Sequence, residues 1–494
     1  MSTHSYDSTA LQAYKLMCQG HLEQALPLAR AAVLSARLCT PAHGMLATIL
    51  CGLGRAEEAE RVVLSALQLG SGSADAYDAL AHVSITLGRP ERANALYRRA
   101  VECEPFTSRR WYNLASSERS LGRIAEAEDA CTRSIALDRF AYQSYLLRSE
   151  LRIQTADSNH IIELETLLAA RGLDDGGGPS LGYALAKELD DIERYDEAFR
   201  WLSAAATVRR RRLAYDVSMD EKKIQRIIET YSSNYLKAPS PGIESARYIF
   251  IVGLPRSGTT LLERILTGLP GVRTNGETDN FSRALLVATP PGNEDVFSRA
   301  KCADPSAVAN HYANLARAAI DEPVVIEKLP MNYLYLGAIY RALPEAKLLW
   351  MKRSPLDSCF AMYRTLFGGA YPFSYDFDDL ARYYAAYDRL MSHWKRTLGS
   401  HLWEIEYEDL VMRPAGVGAA VAEHCRLQWE ASAIQVEKNK RASFTASASQ
   451  VRQPIYDTSV GRWRHYQKHL KPLARRLQEL GVNLGEAEIV TLLG

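Results

Sequence analysis

Tyr248–Thr260 reads YIFIVGLPRSGTT, and the order of residue types in it decides how the second half of the chain folds. The apolar run Tyr248–Val252 has the pattern of a strand buried on both faces. The loop after it holds Gly253, Gly258, Arg256 and the hydroxyls of Ser257, Thr259 and Thr260, and Leu261–Leu266 continues with a helical pattern. Backbone N–H groups at a helix start point outward with partial positive charge. Pro255, Arg256, Ser257, Gly258, Thr259 and Thr260 are therefore candidates to cradle a phosphate. A Walker A loop requires G-x-x-x-x-G-K-[ST]. The spacing from Gly253 to Gly258 is kept, but Thr259 stands where the lysine belongs. Hydrolysis of ATP or GTP is thereby disfavoured, and the loop suits a different anhydride.

Outward from this loop, Val324–Glu327, Lys347–Met351 and Leu402–Tyr407 also read as buried parallel strands. Thr260–Thr267, Tyr333–Ala342, Leu356–Leu366 and Phe377–Leu398 read as the helices between them, and Gly271–Asn275 as a turn. The alternation predicts a P-loop-like, three-layer α/β domain with a parallel sheet over residues 246–494. Ligands of such sheets collect at the carboxyl ends of the strands.

The first half has a different grammar. Gly20, Gly54, Gly88 and Gly122 are spaced 34 residues apart, Ala25, Ala59, Ala93 and Ala127 follow at the same period, and Ala32, Ala66, Ala100 and Ser134 repeat it. A 34-residue period of small residues is that of the tetratricopeptide repeat, an all-helical solenoid. Glycine closes the first helix of each pair, and alanine lets the second approach its neighbour. The array is expected over residues 1–145. Residues 146–245 read as a helical linker that includes a looser repeat-like hairpin, Leu181–Ala205, preceded by the flexible loop Asp174–Gly178. Stacked helix pairs make a groove for extended peptides, so a protein or peptide partner is expected, or a scaffold that packs on a second subunit.

At 494 residues with a net charge of +1, no whole-molecule field favours nucleic acid. The run Arg209–Arg212 follows one helix and precedes another, and reads as a solvated face or an interdomain contact. No secretory signal or membrane span is evident, and the eight cysteines show no metal spacing, so a cytoplasmic protein with reduced thiols and no metal is expected.

Several segments resemble one enzyme family in the right order. Gly253–Thr260 is similar to the 5′-phosphosulfate loop of sulfotransferases, which take a sulfuryl group from 3′-phosphoadenosine 5′-phosphosulfate (PAPS) and leave 3′,5′-bisphosphoadenosine (PAP). Gly276-Glu277-Thr278 resembles the context of the catalytic base in protein-tyrosine sulfotransferases, which implies Glu277 for that role. Small-molecule members carry a base histidine before Leu-Pro; here Lys328 precedes Leu329-Pro330, so Lys328 is expected to neutralise the leaving phosphate together with Arg256. Lys352–Ser358 resembles the 3′-phosphate motif, with Arg353 as its arginine. The family's serine eight residues later is Ala361, leaving Ser358 or Arg364 to compensate. Tyr407 resembles a residue near the adenine, and the segments containing Ser449 and Arg462 resemble the C-terminal loop that folds over the nucleotide.

The resemblance thus implies a PAPS-dependent sulfotransferase behind a repeat array that holds its acceptor. A P-loop phosphotransferase and an inactive repeat scaffold are the competing readings.

Overall fold

The computed structural model describes residues 8–34, 38, 40–70, 72–236, 245–292, 296–316, 324–445 and 447–493. It divides into two compact units, Met1–Arg152 and Ile153–Gly494.

The first unit is built from helix pairs: α1 (Ser8–Cys18) with α2 (Leu22–Leu34), α3 (Pro41–Gly52) with α4 (Ala56–Gln68), α5 (Ala74–Thr86) with α6 (Pro90–Cys103), and α7 (Ser108–Leu121) with α8 (Ile124–Leu137), followed by α9 (Tyr142–Glu150). Each of the four periodic glycines has a left-handed backbone, with φ of 81°, 75°, 69° and 79°. That conformation ends the first helix and lets the next N–H reach back. Arg55 N–H donates to the Leu50 carbonyl at 2.8 Å, and Arg89 and Arg123 repeat the bond to Ser84 and Glu118. Ala25, Ala59, Ala93 and Ala127 are wholly buried, so any larger side chain there would push paired helices apart.

The second unit opens with helices: α10 (Ile161–Arg171), α11 (Gly178–Asp191), α12 (Tyr195–Arg211), α13 (Val217–Thr230) and the short α14 (Ser233–Leu236). The repeat-like hairpin is α11–α12, and it belongs to this unit. The strands are β1 (Tyr248–Gly253), β2 (Val272–Thr274), β3 (Val324–Lys328), β4 (Lys347–Lys352) and β5 (Leu402–Glu406), all parallel in the order β2-β3-β1-β4-β5. Between and after them run α15 (Thr259–Leu266), α16 (Asn280–Ala288), α17 (Val296–Ala300), α18 (Pro305–Ala316), α19 (Leu336–Ala342), α20 (Pro355–Tyr363), α21 (Phe377–Leu398), α22 (Tyr407–Met412), α23 (Pro414–His424), α24 (Gln467–Glu479) and α25 (Glu486–Leu493).

The pleat sorts the sheet into three layers. Ile249, Ile251, Leu349 and Met351 face α15, α22 and α23 in one apolar cluster. On the other face Phe250 meets Phe281 and Tyr312 edge-on or tilted at 5.9 and 5.4 Å, and the Trp350 indole N–H donates to Tyr387 at 2.7 Å. β2 replaces the turn expected there, because three residues are too few to show a period in sequence. β5 stops at Glu406, so Tyr407 opens a helix instead of ending a strand. The helix expected to reach Leu366 ends at Tyr363, ahead of a loop containing Gly368 and Gly369.

All four arginines of Arg209–Arg212 are engaged within this unit: with the Gly368 carbonyl at 2.5 Å, Asp379 at 2.5 Å, Asp174 at 2.7 Å, and the carbonyls of Gly176, Asp174 and Asp175 at 2.7–3.0 Å. Cys39 lies outside the described residues, and the other seven cysteines are free thiols. Among the described residues no helix is long and apolar enough to cross a membrane, and no group of three metal-ligating side chains occurs.

Candidate active site

The carboxyl ends of β1, β2, β3 and β4 gather the candidate residues. After β1 the chain turns through Arg256 (φ 67°) and Gly258 (φ 99°) into α15. Gly258 is required there twice over. Its backbone is left-handed, and an added Cβ would lie 2.3 Å from the Tyr407 ring. Tyr407 therefore lies against the loop, and its hydroxyl shares a 2.6 Å hydrogen bond with Ser459. Arg256 donates to Ser447 and, at 2.6 Å, to Gln450, while Thr260 meets Thr445 at 3.5 Å. The C-terminal segment is thus laid directly across the loop.

Arg353, just past β4, is 8% exposed. Its guanidinium donates to the carbonyls of Arg256 at 2.9 Å and Ser459 at 2.5 Å and stacks 4.7 Å above Tyr407. The nearest carboxylate, Asp357, is 4.0 Å away and is taken up with backbone N–H groups of Gly461 (2.6 Å) and Trp463 (3.3 Å). Asp357 stood inside the motif quoted from sequence, but its role in anchoring the C-terminal segment had no signal there.

Ser358, Arg364 and Arg462 do not join this group. The Ser358 hydroxyl donates to the Arg353 carbonyl at 3.2 Å. Arg364 and Arg462 each pair with Asp190 at 2.5 Å, and Tyr466 donates to the same carboxylate. Burial would raise the Asp190 carboxyl, but the two guanidiniums and the phenol hold it below its ordinary value. Charge on these arginines is thus already matched inside the fold. Asp190, on α11, is 174 residues from Arg364 and carried no local motif by which sequence could have singled it out.

Glu277 and Lys328 do come together. Lys328 is fully buried, with Nζ 2.5 Å from Glu277 and 3.6 Å from Glu263 on α15. Glu263 also accepts from Thr274 at 2.5 Å, and Thr274 in turn accepts from the Gly276 N–H at 2.8 Å. Through α15, this ion cluster adjoins the loop after β1. Tyr371, left-handed at φ 55°, is a further neighbour: burial and the Glu277 carboxylate both raise its phenol.

The residues present fit a phosphate-bearing nucleotide. Among the described residues, Ser257 Oγ, Ser449 Oγ and Arg353 Nε are buried without a hydrogen-bond partner, as are buried atoms elsewhere in the molecule such as those of Gln154 and Asn332; these three lie in the loop, in the segment across it and on the arginine beside it.

Residues 248–431 match the sulfotransferase family model, and residues 79–142 match the tetratricopeptide repeat. The chain therefore joins a stretch that matches tetratricopeptide repeats to one that matches the sulfotransferase family. An Aquifex aeolicus protein of uncharacterised role is 31% identical over 386 residues, covering 75% of this chain and 50% of that one. A Caenorhabditis briggsae protein, named provisionally as a protein-tyrosine sulfotransferase, is 32% identical over 114 residues, covering 21% of this chain and 39% of that one. The chain thus spans half or less of the length of these relatives. Among solved structures, the sulfotransferase domain of the Synechococcus PCC 7002 olefin synthase is 19% identical, covering 50% of this chain and all of that one at a TM-score of 0.36.

Proposed function

We propose that the second unit transfers a sulfuryl group from PAPS to an acceptor hydroxyl. The observation that carries this reading is Arg353 set against the loop after β1 with its nearest carboxylate 4.0 Å away, together with a buried lysine shared by two glutamates. PAPS supplies the sulfuryl group and a phosphate leaving group. Pro255–Thr260 hold the 5′ end by backbone N–H groups and hydroxyls. Arg256 adds charge at that end, Arg353 binds the 3′-phosphate, and Tyr407 backs both the loop and the Arg353 guanidinium. Glu277 accepts the proton of the acceptor hydroxyl. Lys328 has Glu263 as a second partner, so its ammonium can shift its contact from Glu277 towards charge developing on the leaving oxygen. That shift restores basicity to Glu277 at the moment it is needed.

The repeats supply the acceptor as a protein or peptide, in keeping with the concave surfaces such arrays form. A tyrosine side chain is the favoured acceptor, in line with the name given to the Caenorhabditis briggsae relative.

Thermal-shift titration with PAP, set against ATP plus Mg²⁺, tests the nucleotide. Stabilisation by PAP alone is expected, and stabilisation by ATP with Mg²⁺ but not by PAP would replace this reading with a phosphotransferase. Mass spectrometry of lysate incubated with enzyme and labelled PAPS then finds the acceptor.

A further inference from the structure

β3 presents two charged residues in succession, Glu327 and Lys328, and the pleat sends them to opposite faces. Lys328 takes the α15 side, where it meets Glu263 and Glu277. Glu327 takes the side of α16 and α18. It is fully buried and accepts four neutral donors: Thr278 Oγ1 at 2.5 Å, Asn275 Nδ2 at 3.2 Å, Asn280 Nδ2 at 3.4 Å and Tyr312 OH at 3.4 Å. Three of these donors lie within the six residues from Asn275 to Asn280, and Glu277 is in the middle of that stretch. Among the described residues, no cation is a hydrogen-bond partner of Glu327. Burial pushes its carboxyl up to about 7, and the four donors pull the other way.

A buried carboxylate without a counter-ion is expensive, and leucine or valine would fill a sheet position at less cost. What Glu327 gains is a grip on the part of the loop beyond Asn275 and Gly276, which are themselves tied by Arg273 at 3.0 Å, the Ala316 carbonyl at 3.3 Å and Thr274 at 2.8 Å. Asn275 N–H reaches the Ile326 carbonyl at 2.9 Å and Lys328 N–H reaches the Gly276 carbonyl at 3.2 Å, but no other backbone–backbone bond of this kind is made by Glu277 or Thr278. Their position rests on side chains.

We propose that Glu327 is a positioning residue: it holds the Asn275–Asn280 loop from one face of β3 while Lys328 holds Glu277 from the other. The pair acts as a two-sided clamp that fixes where the Glu277 carboxylate sits. The catalytic consequence rests on the reading of Glu277 as the base, whereas the clamp itself does not.

The test is hydrogen exchange by mass spectrometry on the full chain, comparing wild type with Glu327→Gln and with the milder Thr278→Val. Losing hydrogen bonds to the carboxylate is expected to raise exchange by about 10-fold at the hydrogen-bonded amides that tie this loop down, Asn275, Gly276 and Lys328, with β1 and β4 unchanged and PAP affinity within a few-fold. Glu327→Gln should loosen the loop more than Thr278→Val, because it alters the acceptor for all four donors. Unchanged protection of this loop in both variants would overturn the clamp, and so would loosening spread evenly over the whole sheet. Turnover by Glu277→Gln is measured in parallel. A loosened loop together with an active Glu277→Gln enzyme would leave the clamp standing and remove Glu277 from the chemistry. An unmoved loop would remove the clamp whatever Glu277→Gln does.

Discussion

Arg110 in the repeat array and Arg353 at the end of β4 are nearly equally buried, 3% and 8% exposed, yet their surroundings are opposite. Arg110 is met by three carboxylates: Asp75 at 2.9 Å, Glu104 at 2.8 Å and Asp78. Arg353 is met by two backbone carbonyls and an aromatic face, and its nearest carboxylate is 4.0 Å off. A buried charge that serves only the fold is neutralised within the fold, since leaving it unmatched costs several kcal/mol. One left among carbonyls keeps its pull on an anion. Arg264 shows that carbonyl contact is not sufficient by itself. It is held by the carbonyls of Arg441, Val436 and Asn439, and burial with Arg452 nearby lowers its guanidinium to about 10. Arg264 pins a peptide segment on the α15 side. Arg353 stands at the strand ends, where ligands of α/β sheets bind.

The sharpest way to break the comparison is at the carboxylate beside the open site. Glu277→Gln keeps shape and removes the base, so turnover should fall by roughly 10²–10⁴ while PAP affinity stays within a few-fold. The assay needs an acceptor of high hydroxyl pKa, because an already ionised phenol does not call on a base. Loss of PAP binding instead would make Glu277 part of the fold, like the carboxylates around Arg110.

Next in size is Arg110→Ala. It leaves Asp75 and Asp78 only the longer ion pairs of Arg109, at 3.7 and 3.8 Å, and should destabilise the array by about 3–5 kcal/mol. Chemical denaturation reads the loss, and PAP affinity should not move. Arg353→Ala should act on the ligand as well. PAP binding weakens by about 1.5–3 kcal/mol, the worth of a charge-assisted bond, and loss of the bonds to the Arg256 and Ser459 carbonyls adds a stability loss of about 1–3 kcal/mol. Adenosine 5′-phosphosulfate, which lacks the 3′-phosphate, should bind both enzymes alike. Equal sensitivity of that ligand to Arg353→Ala would move this arginine to the other end of the nucleotide.

Much of the fold was legible in sequence because it is written in local patterns, whereas Arg110 and its three carboxylates were not. The 34-residue glycine column announced left-handed turns, and those turns are present. The apolar run ahead of Gly253 announced β1, and its loop lies at the strand ends. The loop's companions were harder to read. Ser358 and Arg364 were offered to compensate for Ala361 and Arg462 for its resemblance to the C-terminal loop, yet Arg364 and Arg462 are matched by Asp190, a residue on a distant helix that only tertiary packing brings near. Glu327 was overlooked although it adjoins Lys328, since a charged residue in an apolar strand declares nothing until its four donors are seen. β2 went unread because an edge strand of three residues has no period to detect.

The smallest effect calibrates the repeat half. Gly88 has φ 69°, and an added Cβ would find no atom within 4 Å. Gly88→Ala therefore changes backbone strain alone, unlike the same change at Gly258, where the Cβ would strike Tyr407. Placing an L-residue in the left-handed region costs about 1–2 kcal/mol, offset slightly by the lower entropy of the unfolded alanine chain. Thermal unfolding should register a loss of about 1 kcal/mol in the array, and PAP affinity should match wild type. A much larger loss would mean that the turn at Gly88 supports more than its own helix pair. A change in PAP affinity would mean that strain in the array reaches the nucleotide site, and the two buried arginines would then belong to one coupled system instead of two independent ones.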